Sequence, residues 1–272
     1  MLTHGCARCP WSNRQHGETR GLEGEVVVAD RSAEEAAFSG RGPGPPGAVP
    51  VVTARTGVGR RVRHTAGDAI AHLKASDPAM ARLIATVGPC GLEIRSAGST
   101  FAALAESITH QQLTGRAAAT IHARLCALFD DPASGPTPEV LAAMPDEALR
   151  GCGLSGAKVL ALRDLAARTL AGEVPTLPEL RSLDSEEVIR RLTTIRGIGR
   201  WTVEMLLVFR LGHPDILAVD DYGLRKGFRA AVGLGTGRGG LPTPRELAAH
   251  GARWAPYRSA ASWYLWRAVD GL

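Results

Sequence analysis

The stretch Thr193-Thr194-Ile195-Arg196-Gly197-Ile198-Gly199-Arg200-Trp201-Thr202 decides how the chain is read. An apolar helical run ends there in Gly-x-Gly and restarts at once as a second helix that continues to Phe209. Two helices joined this tightly need a turn that tolerates positive φ, which glycine adopts at little cost. The first N–H groups of the second helix then face outward at the positive end of its dipole. Such an end holds a phosphate oxygen without reading any base. Ile198 anchors the turn in the core in this reading, and Arg196 and Arg200 add charge at its rim. On the residues alone, an ordinary αα-hairpin with glycines for packing accounts for the turn equally well.

About twenty residues past the second glycine stands Leu217-Ala218-Val219-Asp220-Asp221-Tyr222, two carboxylates at the start of another helix. Adjacent side chains on one backbone do not face the same point, so the two aspartates divide their work. Both also read as N-cap residues, a frequent place for aspartate.

The remainder of the chain sets bounds on this pair of motifs. Its 272 residues allow one or two domains with a sizeable core. Apolar residues make up 44% and aromatic residues only 5%, which favours helical packing over a β sandwich. The net charge of +5 suits a polyanionic partner but is shared by many proteins that have none. No run approaches the ~18 apolar residues of a membrane span. The first residues lack the blocks of a secretory signal, so a cytoplasmic location is expected. Five cysteines, an odd number, argue against a complete disulfide framework, and Cys126 and Cys152 read as reduced, buried residues.

Residues 1–64 differ from the rest. Gly40 to Gly47 is rich in Gly and Pro, Arg60 to Arg63 is a small basic cluster, and helical periodicity is slight. A low-complexity, poorly ordered extension is expected, with Glu25-Val26-Val27-Val28 as one short candidate strand. Cys6-Ala7-Arg8-Cys9 lacks the second half-site of a structural zinc centre.

From residue 65 to 272 the pattern is helical and the expected class is all-α. Asp77-Pro78 ends one helix and caps the next. Phe101, Leu104 and Ile108 form a stripe that runs into His110-Gln111-Gln112-Leu113, and Thr137-Pro138-Glu139 is a helix start. Ser155 caps a helix carrying Val159, Leu162 and Leu165, and Asp184-x-x-Glu187 resembles a capping box. Roughly nine or ten helices and no convincing strand pair emerge by pattern.

Together these motifs resemble the helix-hairpin-helix (HhH-GPD) DNA glycosylases, and within them the alkyl-base branch, DNA-3-methyladenine glycosylase II. Its marks are Ser107-Ile108-Thr109-His110-Gln111-Gln112-Leu113, Gly153-Leu154-Ser155-x-x-Lys158, the hairpin with its aspartate, and Trp254-x-Pro256-Tyr257-Arg258-Ser259 ahead of Trp263-x-x-Trp266. The resemblance implies two helical subdomains flanking a cleft. It also implies a monomer that binds double-stranded DNA, flips a damaged nucleotide and hydrolyses its N-glycosidic bond.

By the same resemblance Asp221 is the catalytic carboxylate, leaving Asp220 to cap the helix. Trp201, Tyr222 and Trp266 line the base pocket, where an indole stacks well on a cationic alkylated purine. Trp254 and Trp263 are read as core residues. Gln112 is the wedge that fills the gap left by the flipped base, and Arg196, Gly197, Ile198, Gly199, Arg200 and Thr202 hold the backbone. Family members that also cut the strand carry a lysine nucleophile where this chain has Trp201, so a monofunctional enzyme is expected. No organic cofactor is implied. Iron–sulfur relatives place four cysteines near the C-terminus, and none follows Cys152 here. Main-chain carbonyls of Thr193, Ile195 and Ile198 match positions that hold a monovalent cation in the family. A glycosylase of this fold for uracil or hypoxanthine, and a non-catalytic DNA-binding protein, are the alternatives.

Overall fold

A computed structural model describes residues 52–55, 61–64, 66–113, 115–132, 135–233 and 235–269. The expected strand at Glu25 to Val28 and the Cys6/Cys9 pair lie outside the described residues, as does the expected poorly ordered extension over 1–64 except at 52–55 and 61–64.

The first difference from the sequence reading is an antiparallel ribbon. Strand β1 (Val52–Arg55) pairs with β2 (Arg61–His64), Val52 opposite His64 and Arg55 opposite Arg61. Four residues per strand are too few to show a period of two, and the basic cluster masked the alternation. Thr56-Gly57-Val58-Gly59-Arg60 between them carries turn composition, the one signal that marks the ribbon in the sequence.

Beyond the ribbon every regular element among the described residues is helical. In order they are α1 (Ala66–Ser76), α2 (Pro78–Val87), α3 (Thr100–His110), α4 (Gly115–Cys126), α5 (Pro138–Ala143), α6 (Asp146–Gly151), α7 (Gly156–Leu170), α8 (Leu177–Ser182), α9 (Ser185–Leu192), α10 (Arg200–Leu206), α11 (Tyr222–Val232), α12 (Pro244–Gly251) and α13 (Arg258–Arg267). A π-helical turn, Leu207–Leu211, prolongs α10. The helices with no counterpart in the sequence reading are α6 and α8, six residues each, too short for a hydrophobic period to show.

Caps explain most of the starts. Asp77 accepts from the Ala79 N–H at 2.8 Å, with Pro78 at the first helical position. Ser155 accepts from the Lys158 N–H, and Thr137 takes its N-cap place without a side-chain bond. Asp184 caps α9 through the Glu186 N–H, but Glu187 does not turn back to complete a box. Its carboxylate is drawn instead to Arg190 and Arg191, which hold it at about 2. Full capping boxes form at Thr176 with Glu179 and at Thr243 with Glu246.

Two cores divide the helices. Phe101, Leu104 and Ile108 of α3 pack with Val159, Leu162 and Leu165 of α7 and with Val188 and Leu192 of α9. Leu73, Met80 and Leu83 pack with Leu224 and Phe228 of α11 and with Trp254, Tyr264 and Leu265. Helix α10 belongs to both, giving Val203 and Leu206 to the first and Met205 to the second. The two expected halves therefore meet along the helix that leaves the hairpin. Trp254 is fully buried and donates to Asp77 Oδ2 at 3.0 Å, as expected of a core residue, whereas Trp263 is only half-buried under Arg267. Cys152 is a buried free thiol, but Cys126 is only half-buried; burial raises both pKa values. Among the described residues no helix is long and apolar enough to cross a membrane.

Within the second half α11 and α13 approach so closely that only glycine fits at one point. A Cβ at Gly227 would stand 1.9 Å from the carbonyl oxygen of Leu265. Gly227→Ala is therefore expected to destabilise the chain by about 3 kcal/mol or more, the upper range for overpacking, because backbone cannot give way as a side chain can. The shift of the urea unfolding midpoint against wild type measures it.

Candidate active site and nucleic-acid interface

The site is assembled at the starts of α10 and α11. Asp221 is the N-cap of α11: its Oδ1 accepts from the Leu224 N–H at 2.6 Å. The cap thus falls on Asp221 and not on Asp220, which is exposed. The same carboxylate takes two further donors. The Trp201 indole N–H reaches Oδ2 at 2.7 Å, and the Trp266 indole N–H reaches Oδ1 at 3.1 Å. Capping and a half-buried, fixed carboxylate are combined in one side chain, and three donors set its orientation.

The three aromatic residues expected to line a pocket stand differently. Trp201 is half-buried and Tyr222 is 55% exposed at the first position of α11. Trp266 is only 4% exposed and stacks on Phe209 with ring centroids 5.6 Å apart. Its reach toward the site is through the indole N–H.

The hairpin itself has the geometry that the glycines suggest, though they act differently. Gly197 sits at φ 77°, in the left-handed region, with a hypothetical Cβ 2.9 Å from Ala161. Gly199 has an ordinary extended φ of −91° and is the N-cap of α10. Nothing lies within 4 Å of where its Cβ would be, so the helix end is left open. The first ladder bond runs from the Val203 N–H to the Gly199 carbonyl, leaving the N–H groups of Arg200, Trp201 and Thr202 directed out of the helix end. Ile198 is buried, 4% exposed, as the anchor of the turn.

Of the side chains assigned to DNA here, Arg196 is exposed, and its own N–H donates to Asp164 Oδ2 at 2.8 Å. That bond, with the Arg168 guanidinium, holds the Asp164 carboxyl below the usual carboxylate range. Arg200 is engaged by Glu204 at 3.0 Å and by Glu186, so its charge is largely offset. Thr202 is buried, and its hydroxyl accepts from Gln111 Nε2 at 3.3 Å. Only its N–H faces outward. The Ile195 carbonyl accepts the Ile198 N–H at 3.1 Å within the hairpin turn.

Between α3 and α4 lies the turn with Gln111 and Gln112. Gln112 is exposed and takes φ 57°, the one positive φ outside glycine among the described residues. Gln111 turns the other way: its Nε2 donates to the Gly197 carbonyl at 2.9 Å. The structure thus separates the two glutamines, one bound to the hairpin and one presented outward. Sequence reasoning did not find the Gln111 and Asp164 contacts, which bridge residues far apart in the chain. Among the described residues no group of three or more His, Cys, Asp or Glu is placed to hold a metal ion.

A helical hairpin open at its helix end, beside a carboxylate held by two indoles, defines a protein built to grip a nucleic-acid backbone and act on what lies next to it. The model of the HhH-GPD superfamily of base excision DNA repair proteins matches residues 105–256, and the chain belongs to that superfamily. It is 40% identical over 164 residues to DNA-3-methyladenine glycosylase 1 of Schizosaccharomyces pombe, covering 60% of this chain and 70% of that one. The solved structure of the S. pombe 3-methyladenine DNA glycosylase in complex with abasic DNA is similar at TM-score 0.66 and 37% identity, over 73% of this chain and 95% of that one. The DNA-3-methyladenine glycosidase structure from Bacillus halodurans is similar at TM-score 0.66 and 34% identity, over 75% and 89%.

Trp201→Phe keeps the ring and removes one donor to Asp221. It is expected to lower base excision by about tenfold, the weight of one hydrogen bond to a charged group, with DNA affinity nearly unchanged. Single-turnover excision beside a binding titration separates the two effects.

Proposed function

We propose that this chain is a monofunctional DNA glycosylase of base excision repair that excises alkylated purines of the 3-methyladenine type and leaves an abasic site. The observation that carries the reading is the Asp221 carboxylate, held by the indole of Trp266 and by that of Trp201, which stands two residues after the open helix end at Gly199. The hairpin N–H groups grip a phosphate, which sets the position of the sugar. The nucleotide leaves the stack, and Gln112 enters the gap. As the bond from C1′ to the base nitrogen breaks, its electron pair goes to the base and positive charge develops on the sugar. Asp221 stabilises that charge and orients the water that adds to C1′, while the water's proton passes to the carboxylate or solvent. Trp201 and the exposed Tyr222 offer π faces to a cationic purine.

The carbonyls of Thr193, Ile195 and Ile198 suit a monovalent cation, since main-chain oxygens with spare lone pairs are the donors such ions take. A Na+ or K+ there would add positive charge beside the gripped phosphate. The proposed partner is duplex DNA containing a damaged base, met as a monomer in the cytoplasm at the nucleoid.

Base release from methylated DNA, with products separated by chromatography, tests the reading. Wild type is expected to release 3-methyladenine, and Asp221→Asn to bind the same DNA with excision lost by a factor of about a thousand or more, as for loss of a principal electrostatic stabiliser. Full activity in Asp221→Asn would overturn the mechanism. Borohydride traps an imine between a lysine and the opened sugar. With Trp201 in the nucleophile position, no trapped protein–DNA adduct is expected on damaged duplex, as read by denaturing gel.

A further inference from the structure

The turn that presents Gln112 is held by a residue for which the reaction itself has no use. Lys158 stands in the first turn of α7 and reaches across to the end of α3. Its Nζ donates to the Thr109 carbonyl at 2.7 Å and to the Gln111 carbonyl at 2.8 Å. These are oxygens that a helix end leaves without an internal partner, and a cation there also meets the negative end of the helix dipole. The site is dry enough that desolvation lowers the pKa of the ammonium.

The second of these bonds has a consequence beyond capping. The Gln111 carbonyl belongs to the peptide plane that leads into Gln112. Gripping that oxygen fixes the tilt of the plane, and with it the direction in which the next residue leaves the turn. Gln112 stands at φ 57°, a conformation that costs a non-glycine residue about 1–2 kcal/mol and persists only where neighbours over-determine it. The turn is held on a second side as well, because the Gln111 amide is bonded to the Gly197 carbonyl and the Thr202 hydroxyl of the hairpin.

We propose that Lys158 is a positioning residue for base flipping: its ammonium locks the Gln111–Gln112 peptide so that Gln112 is presented ready to enter the stack, while the Gln111 side chain ties that turn to the phosphate-gripping hairpin. The two DNA-facing elements then meet the duplex as one rigid piece, and the wedge needs no ordering at the moment of insertion. The inference rests on the reading of Gln112 as the wedge.

The test uses the full chain and a duplex in which 2-aminopurine neighbours a tetrahydrofuran abasic analogue, so that insertion is read by fluorescence without chemistry. Binding by wild type is expected to raise the fluorescence, and Gln112→Ala to lose most of that rise. Lys158→Met is expected to lose as much, and the double variant no more than either, because residues acting through one contact are not additive. Single-turnover excision should follow the same pattern, falling about tenfold or more in Lys158→Met and little further in the double variant. Lys158→Arg, which keeps two donors, should restore part of the rise. If Lys158→Met does not fold, Lys158→Gln, which keeps one amide donor group, replaces it in the same cycle. A full rise in Lys158→Met would overturn the proposal. So would a loss equally large with and without Gln112, which is the mark of a helix cap alone, or the absence of any rise in wild type. Should wild type show the coupled rise yet release no base from methylated DNA, the glycosylase reading fails and the positioning role stands.

Discussion

The Asp221 carboxylate is bound by three N–H donors from three separate parts of the chain, and the organisation of the second half follows from that. A half-buried carboxylate without partners would lose much of its hydration with nothing in return. Here Trp201 comes from the hairpin helix, Trp266 from α13, and Leu224 from the helix that Asp221 itself caps. Satisfying one charge therefore requires α10, α11 and α13 to stand in fixed relation. The close approach of α11 to α13 at Gly227 serves the same end, since it brings Trp266 against the start of α11. The grip and the chemistry share a helix: Gly199 opens the end of α10 and Trp201 holds the carboxylate two residues on. A phosphate placed at that end is thereby placed relative to Asp221.

What could be read in the sequence follows from how local each signal is. The hairpin and the helix after Asp221 were legible because capping, glycine turns and apolar periodicity act over a few residues. The two-core division was legible only in outline, through the resemblance. In the sequence Asp220 reads as the cap and Asp221 as the catalytic carboxylate, a division that holds only if one side chain does not serve both. One oxygen of Asp221 serves the cap and the other turns to Trp201, so one side chain can serve both. The β1–β2 ribbon was missed because four residues show no period. Arg200 and Thr202 read as backbone contacts by position alone. The first is engaged by Glu186 and Glu204, and the hydroxyl of the second is turned inward to Gln111. Glu204 stands at the i+4 spacing of a helical ion pair and could have been read locally, but Glu186 and Gln111 lie on other elements, and no local pattern announces them.

The pairing of Arg200 changes what the grip is made of. Burial lifts the Glu204 carboxyl to about 7 even though Arg200 lies 3.0 Å away and pulls the other way. Near neutrality Glu204 is thus divided between its two forms, with Asp220 and Glu186 adding to the rise. As pH falls, Glu204 is neutralised and the Arg200 charge is less offset. As pH rises through 7, the buried carboxylate forms and binds the guanidinium more firmly. Because the folded-state value lies above the ordinary 4.5, the stability linked to this group is fully present below about 4.5 and is lost as pH rises through about 7. The guanidinium is in this way a buffered charge, and Arg196 is the exposed cation left at the turn. The constant part of the grip is the row of N–H groups at the start of α10, whose partial charge does not titrate. A protein that must hold any sequence, and only long enough to test one base, is better served by backbone dipoles fixed in the fold than by long cationic side chains, which cost entropy to order and bind wherever a phosphate is near.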